Sequence, residues 1–446
     1  MHTRLGTRAI SAAAIAAAAL AASLAIGALA SCAPYKAASK NAYRIVVITP
    51  KEAIAPGAFA GAEDFVRSGA AKRSGASAIH AVLPEGIASG DRRKPGAEAA
   101  MASFVASQAE DPLVRAIVVD PALPGCAEGF REAKAARPGI VCVAGDSRED
   151  ELALESSADL LVDLDRAYRA YLIAWETRKM GATSLVSVYS AAEGDDPTAA
   201  RAAAREQAIM SAAAADLGLK YVSIETPPGS DPAAYARAMT GTWLRADGPG
   251  AALYCSDPSL VGPLIAGAVA YGGYLVDAAA SATCAAYAAA LGLDLGPAKG
   301  DASKERAIVE KAVAGLGLRG RLGLWGADYQ RSTVAGMAEF AQRVVEQASR
   351  RESAKAEAGS PIAEASPAVP SLPTSVDSRS QLLAALSSAH PEAGWSASYD
   401  IDPVTGVKSA NRVLLREDVY VLGSGYIQSA LQQVPIKYLA QGAPSR

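Results

Sequence analysis

Residues 115–125 read Arg115-Ala116-Ile117-Val118-Val119-Asp120-Pro121-Ala122-Leu123-Pro124-Gly125. A short apolar run is stopped by an aspartate, two prolines and a glycine, and Ala127 to Ala136 then shows helical spacing with charged faces. Such a run has the signature of a strand covered on both faces of a parallel sheet. The pattern recurs on both sides. Ile45 to Ile48, Ala78 to Leu83, Ile140 to Val143 and Leu160 to Leu164 are further short runs, and Phe59 to Arg73 and Gly96 to Gln108 are amphipathic stretches between them. Strand and helix in alternation imply right-handed crossovers onto one sheet.

A second series follows. Leu185 to Tyr189, Tyr221 to Ile224, Ala252 to Cys255 and Tyr274 to Val276 read as strands; Arg166 to Met180, Pro197 to Leu217, Pro232 to Leu244 and Pro258 to Tyr271 read as helices. Three of these helices open on Asp-Pro, at Asp196, Asp231 and Asp257, where the aspartate caps the free amides and proline loses no needed hydrogen bond. Two runs of four or five strands in 446 residues predict an α/β protein of two doubly wound lobes with a cleft between them. The lobes are expected at 43–165, completed by 326–350, and at 166–325. Residues 351–378, with Pro361, Pro367, Pro370 and Pro373 among Ala, Ser and Glu, are expected to form a disordered linker, and 379–446 to pack back on the lobes. In that tail Gln381 to Ser387 reads as a helix, and Ser396 to Ile401 and Arg412 to Leu422 as strands.

Composition removes several functions. With 43 Lys+Arg against 46 Asp+Glu, there is no general electrostatic reason to bind nucleic acid. Only His2, His80 and His390 are available for a metal centre or an imidazole relay, so no metal site and no cofactor is expected. Arg4 and Arg8 precede an apolar run from Ile10 to Leu29 that ends in Leu29-Ala30-Ser31-Cys32, the order of a secretory signal over 1–31. A transmembrane helix is the competing reading of that run. Residues 32–42 would be a flexible tether. No later stretch reaches about 18 uncharged apolar residues, the least that spans a bilayer. Cys126, Cys142, Cys255 and Cys284 lack the two-residue spacing of a zinc knuckle or redox pair, and read as small buried residues or one incidental bridge.

In doubly wound sheets the crevice lies beyond the carboxyl ends of the strands, so ligand contacts are sought just after each apolar run. The first lobe offers Thr49, Glu85, Asp120 and Asp146; the second offers Tyr189, Thr226, Ser256 and Asp257. Asp163, Asp165, Tyr168 and Arg169 lie where the chain crosses between lobes. Asp165 is either an N-cap or a ligand contact, and Asp120 either a ligand contact or the end of its strand in a turn. Trp325, Tyr329 and Arg331 group an indole, a phenol and a guanidinium within seven residues, a set able to stack on a ring and pair with an anion, or else to pack one lobe with Arg331 in solvent. Gly315-Leu316-Gly317-Leu318-Arg319-Gly320 spells a dinucleotide fingerprint, but follows a helix and precedes a strand, and reads as a helix end and turn.

The small residues before Cys32 resemble the lipobox of bacterial lipoproteins, in which that cysteine is acylated. Residues 115–125, 158–165, Cys255-Ser256-Asp257-Pro258 with 262–265, 323–329 and 420–426 resemble an uncharacterised family of bacterial lipoproteins with the type I periplasmic-binding-protein-like fold. The resemblance implies an extracytoplasmic protein held at a membrane by lipid on Cys32. It implies a role in capturing a small molecule and nothing finer; the leading expectation is a solute receptor rather than an enzyme, with the permease of an ABC importer as partner. The alternatives are a receptor lipoprotein read by a membrane sensor, and a hydrolase on a similar scaffold; no Gly-x-Ser-x-Gly elbow is present for the latter.

Overall fold

The computed structural model describes residues 42–68, 75–88, 95–190, 197–276, 283–298, 301–325, 328–357, 377–389, 393–402, 405–427 and 434–439. The leader, Cys32, nearly all of the tether, Asp196 and residues 358–376 lie outside them.

Strands β1 (Tyr43–Thr49), β2 (Ala76–Val82), β3 (Val114–Val119), β4 (Val141–Gly145) and β5 (Leu160–Leu164) alternate with α1 (Pro56–Arg67), α2 (Ala97–Ser107), α3 (Cys126–Ala136) and α4 (Glu151–Ser157). They pair in parallel in the order 2-1-3-4-5. β3 and β4 are buried at nearly every position, which is why they read as unbroken apolar runs. β2 differs from the expected buried strand. It is the edge of the sheet, and its side chains are intermediate or exposed throughout.

The second lobe repeats the plan. After α5 (Arg166–Lys179), strands β6 (Ser184–Tyr189), β7 (Lys220–Glu225), β8 (Ala251–Cys255) and β9 (Tyr274–Leu275) alternate with α6 (Pro197–Asp216), α7 (Pro232–Asp247) and α8 (Pro258–Tyr271). They form a parallel sheet in the order β7-β6-β8-β9, and a parallel bridge sets Leu322, just before β10 (Gly323–Trp325), beside Leu275. The chain is therefore an α/β protein of two doubly wound lobes, whose strand order reverses at β1/β3 and at β6/β8. Asp165, Asp231 and Asp257 cap α5, α7 and α8 by accepting backbone amides. α9 (Cys284–Leu291) and α10 (Ala302–Gly315) precede β10; Gly317 and Gly320 follow α10 at φ of 73° and 75°, a helix end and a turn, as the context of that glycine run required.

α11 (Tyr329–Glu357) leaves β10 and lies against α1, β3 and β4 of the first lobe. It runs seven residues into the segment expected to be disordered, because Arg350-Arg351-Glu352-Ser353-Ala354-Lys355-Ala356-Glu357 is rich in strong helix formers. α12 (Ser378–Ala389) packs on α11, and β11 (Trp395–Ile401) then pairs antiparallel with β12 (Lys408–Glu417). β12 lies parallel to β5, with Val413 opposite Val162, so the tail completes a seven-stranded sheet.

The stretch from Arg412 to Leu422, expected as one strand, is two. β13 (Val419–Val421) leaves the first sheet and pairs antiparallel with β10 and with β14 (Gly425–Ile427). The break sits at Asp418, whose amide donates to Gly394 O and whose carboxylate occupies the space a Cβ on Gly394 would need. One apolar cluster runs from the first lobe into the second through Leu322, Leu324, Trp325 and Tyr329. The four described cysteines are free thiols; burial pushes those of Cys126 and Cys142 up, and that of Cys284 up to about 11.

Candidate functional site

The carboxyl ends of β3, β4 and β5 bring three aspartates together. Asp120 follows β3 and is 2 % exposed; its Oδ1 has no hydrogen-bond partner among the described residues. Its Oδ2 lies against Gly145 at the end of β4, 2.3 Å from where a Cβ would stand, so only glycine leaves room for it. Asp146, next in the chain, sits at φ 42°, a left-handed conformation that a non-glycine residue adopts under constraint and that concentrates at functional sites. Arg148 Nε and Nη2 donate to Asp146 Oδ2 at 3.1 and 2.8 Å. Asp163 in β5 accepts from the Ser147 amide at 2.8 Å and from Arg412 Nε of β12 at 3.1 Å.

These neighbours divide the three carboxyls. Burial, then Asp146 and Asp163, push the Asp120 carboxyl well above the usual carboxylate range, with Arg148 opposing. Burial also raises Asp163 against Arg412 and the Ser147 amide. Asp146 goes the other way, because Arg148 and Arg166 outweigh the burial that would raise it. Tyr329, at the start of α11, is buried and its phenol raised by burial and by the fields of Asp163, Asp120 and Asp146.

Arg166 stands between the lobes. It begins α5, the helix that carries the chain from one lobe to the other. Its side chain is solvent-exposed, yet protein crowds it enough that burial is the largest influence on it. Asp146 and Asp163 of the first lobe, and Glu206 and Tyr254 of the second, hold its guanidinium charged against that burial. Across from it the Tyr254 hydroxyl donates to Glu206 Oε1, and burial raises both groups. The Tyr189 ring meets that of Tyr254 at 6.4 Å, and the Ser187 hydroxyl is 3.2 Å from the Tyr189 hydroxyl.

Not every expected contact joins this set. Asp165 accepts from the Tyr168 amide at 2.9 Å and from Arg416 Nε at 2.7 Å, so it caps α5 and anchors β12. Thr49, fully buried, has its hydroxyl 2.9 Å from Pro50 O and 2.8 Å from His80 Nε2. Glu85 stands at the sheet edge, its side chain 77 % exposed and paired with Lys51. Asp257 caps α8, accepting from the Ser259 amide, and Ser256 precedes it after β8. The cluster of Trp325, Tyr329 and Arg331 is corrected in one member. The two rings do meet edge to face at 5.5 Å, but Arg331 points away and pairs with Asp64 of α1. The guanidinium on Trp325 is that of Arg169, 3.8 Å from the ring centroid, reaching from α5 and also donating to Glu417 O at 3.2 Å.

Arg166, Glu206 and Tyr254 were not singled out from the sequence. Arg166 had a signal, since it lies three residues before Arg169 on one helix face. Glu206 is mid-helix and had none. Among the described residues no group of His, Cys, Asp and Glu is arranged to hold a metal ion. The arrangement is one of hydrogen bonding and charge: a carboxyl pushed up, a carboxyl pushed down, a guanidinium in the field of both lobes, and phenols at the ends of two sheets.

A family model, "Protein of unknown function (DUF3798)", matches residues 43–323, and a second family model matches residues 371–440. An uncharacterized protein of Treponema pallidum (strain Nichols) is 31% identical over 220 residues, 48% of this chain and 98% of that protein. A crystal structure from Clostridium difficile 630, described as a candidate transcriptional regulator, aligns with a TM-score of 0.63 at 15% identity over 85% of this chain and 99% of that chain. A sugar ABC transporter from Actinomyces odontolyticus ATCC 17982 aligns with a TM-score of 0.44 at 13% identity over 69% of this chain and 84% of that chain.

Proposed function

We propose, for a chain that belongs to the DUF3798 family of proteins of unknown function, that it captures a small polar solute between its lobes and presents it to the permease of an ABC importer. Cys32, after Leu29-Ala30-Ser31, would carry the lipid that holds it at the outer face of a membrane. The observation that carries the reading is Asp120. A buried carboxyl with an unpartnered oxygen costs free energy unless something satisfies it, and it lies at the strand ends where doubly wound sheets take their ligands. Arg166 and the phenol of Tyr189, whose hydroxyl accepts from Ser187, supply donors from the second side.

Closure on a solute needs contacts that differ between open and closed states. Groups from both lobes meeting at Arg166 offer that difference. The test is to denature the purified protein gently and identify by mass spectrometry what it releases, then to return that compound and follow thermal unfolding. A stoichiometric metabolite that stabilises the protein by about 2.7 kcal/mol at a hundred times its Kd is expected. No released compound, and no shift across sugars, amino acids, amines and nucleosides, would overturn the reading.

A further inference from the structure

Resting on the reading of this cleft as a capture site, we propose that Asp120 is the seat of a positively charged group, so that the captured solute is a small amine bearing hydroxyl or carboxylate oxygens. Asp120 is surrounded by acids whose own cations are already committed. From the loop after β4, Asp146 holds Arg148 through two nitrogens. From β5, Asp163 is bonded to the Ser147 amide and to Arg412, which also reaches Asp400 and Glu151. From α11 come the Tyr329 phenol and the uncharged Met337 side chain. At the end of β1 the Thr49 hydroxyl is taken up by Pro50 O and His80. Among the described residues no cation forms an ion pair with Asp120, and its Oδ1 accepts no hydrogen bond.

A neutral hydroxyl would fill one lone pair and leave three crowded carboxyls as they are. An ammonium brings up to three donors and the charge that lets all three ionise together. Arg166, exposed at the same rim, would then take an acceptor oxygen of the same molecule, which favours an amino sugar or amino acid over a bare polyamine. Burial and the fields of Asp146 and Asp163 push the Asp120 carboxyl well above the ordinary range in the free protein. An ammonium pulls it back down, so where the carboxyl carries its proton binding exchanges it: the O–H bond breaks, the proton leaves to the buffer, and the ammonium keeps all of its own.

The experiment uses the full chain and matched pairs in which an ammonium is replaced by a hydroxyl: D-glucosamine and D-glucose, D-galactosamine and D-galactose, L-amino acids and the corresponding 2-hydroxy acids. Titration calorimetry in buffers of different ionisation enthalpy counts protons. The expected result is that an aminated member binds at least tenfold more tightly than its hydroxyl partner, releases about one proton, and weakens as pH falls. In Asp120→Asn both the preference for the ammonium and the proton release disappear, an outcome that a purely structural role for Asp120 would not give. Tight binding of a neutral partner with no proton released overturns this inference and leaves solute capture standing. Binding of neither kind by a folded protein overturns this inference; the capture reading falls with it only if the protein also releases no compound on denaturation.

Discussion

Arg169 is stacked on Trp325 at 3.8 Å and donates to Glu417 O, so a single side chain from α5 ties β10 to the end of β12. Its charge also opposes the burial of Glu176 and Glu206. Arg169→Leu should destabilise the protein by about 3–5 kcal/mol, the cost of leaving buried acids without their cation, read as a lower denaturant midpoint. Glu176 gives a pH signature. It is fully buried, and burial pushes its carboxyl up to about 8, with Arg169 opposing. The folded state holds that proton more tightly than the unfolded chain, so this group costs nothing at low pH. Stability then falls as pH rises from the ordinary value of 4.5 to about 8, by at most ~1.4 kcal/mol per pH unit. Glu176→Gln should therefore leave the melting temperature near pH 4 little changed and raise it at pH 8. At this scale the sequence was legible in part. Asp120, Asp146 and Tyr329 follow from standing at strand ends or next to them, whereas the partner of Trp325 was placed on Arg331 because proximity in the chain cannot show which arginine the fold delivers.

Elements were the most legible level. Every strand in the first two series begins or ends within about two residues of its apolar run, and where the strand is buried at nearly every position, as β3, β4 and β8 are, no polar position blurs it. Two of the Asp-Pro openings are caps as read, Asp257 and Asp231; Asp231 accepts from the amides of Ala233 and Ala234 at 2.9 and 3.2 Å. Asp231→Ala should cost about 1 kcal/mol, seen as a modest drop in melting temperature with secondary structure intact. Gly145→Ala tests a tighter fit. Its Cβ would stand 2.3 Å from Asp120 Oδ2 and 2.6 Å from Met337 Cε, so Asp120 must move. Loss of solute binding is expected together with about 1–3 kcal/mol of destabilisation from overpacking, and unchanged affinity would count against Asp120 as a contact. The division of the tail into β12 and β13 was not legible. Leu414, Leu415, Val419 and Val421 are equally strand-like, and only the contact of Asp418 with Gly394, distant in sequence, shows where one sheet hands over to another.

For the whole molecule, three short links carry the chain between lobes: Leu164 to Arg166, Trp325 to Tyr329, and Glu417 to Val419. The apolar cluster through Leu322, Leu324, Trp325 and Tyr329 runs between the same lobes. The two-lobe plan was legible as two series of strands. The return of the tail was not, since strand pairing over more than 240 residues of separation leaves no local trace. That return has a consequence for how the protein is assembled. The tail contributes β11 and β12 to one sheet and β13 to a ladder with β10, so it is stitched into both lobes by hydrogen bonds rather than merely attached at its own start. Two separately encoded pieces, 43–357 and 377–446, should recombine on co-expression into a stoichiometric complex that co-purifies, whereas the longer piece alone, with the β5 edge bare, should aggregate. A protein of this kind could be severed in its covalent chain and remain one body.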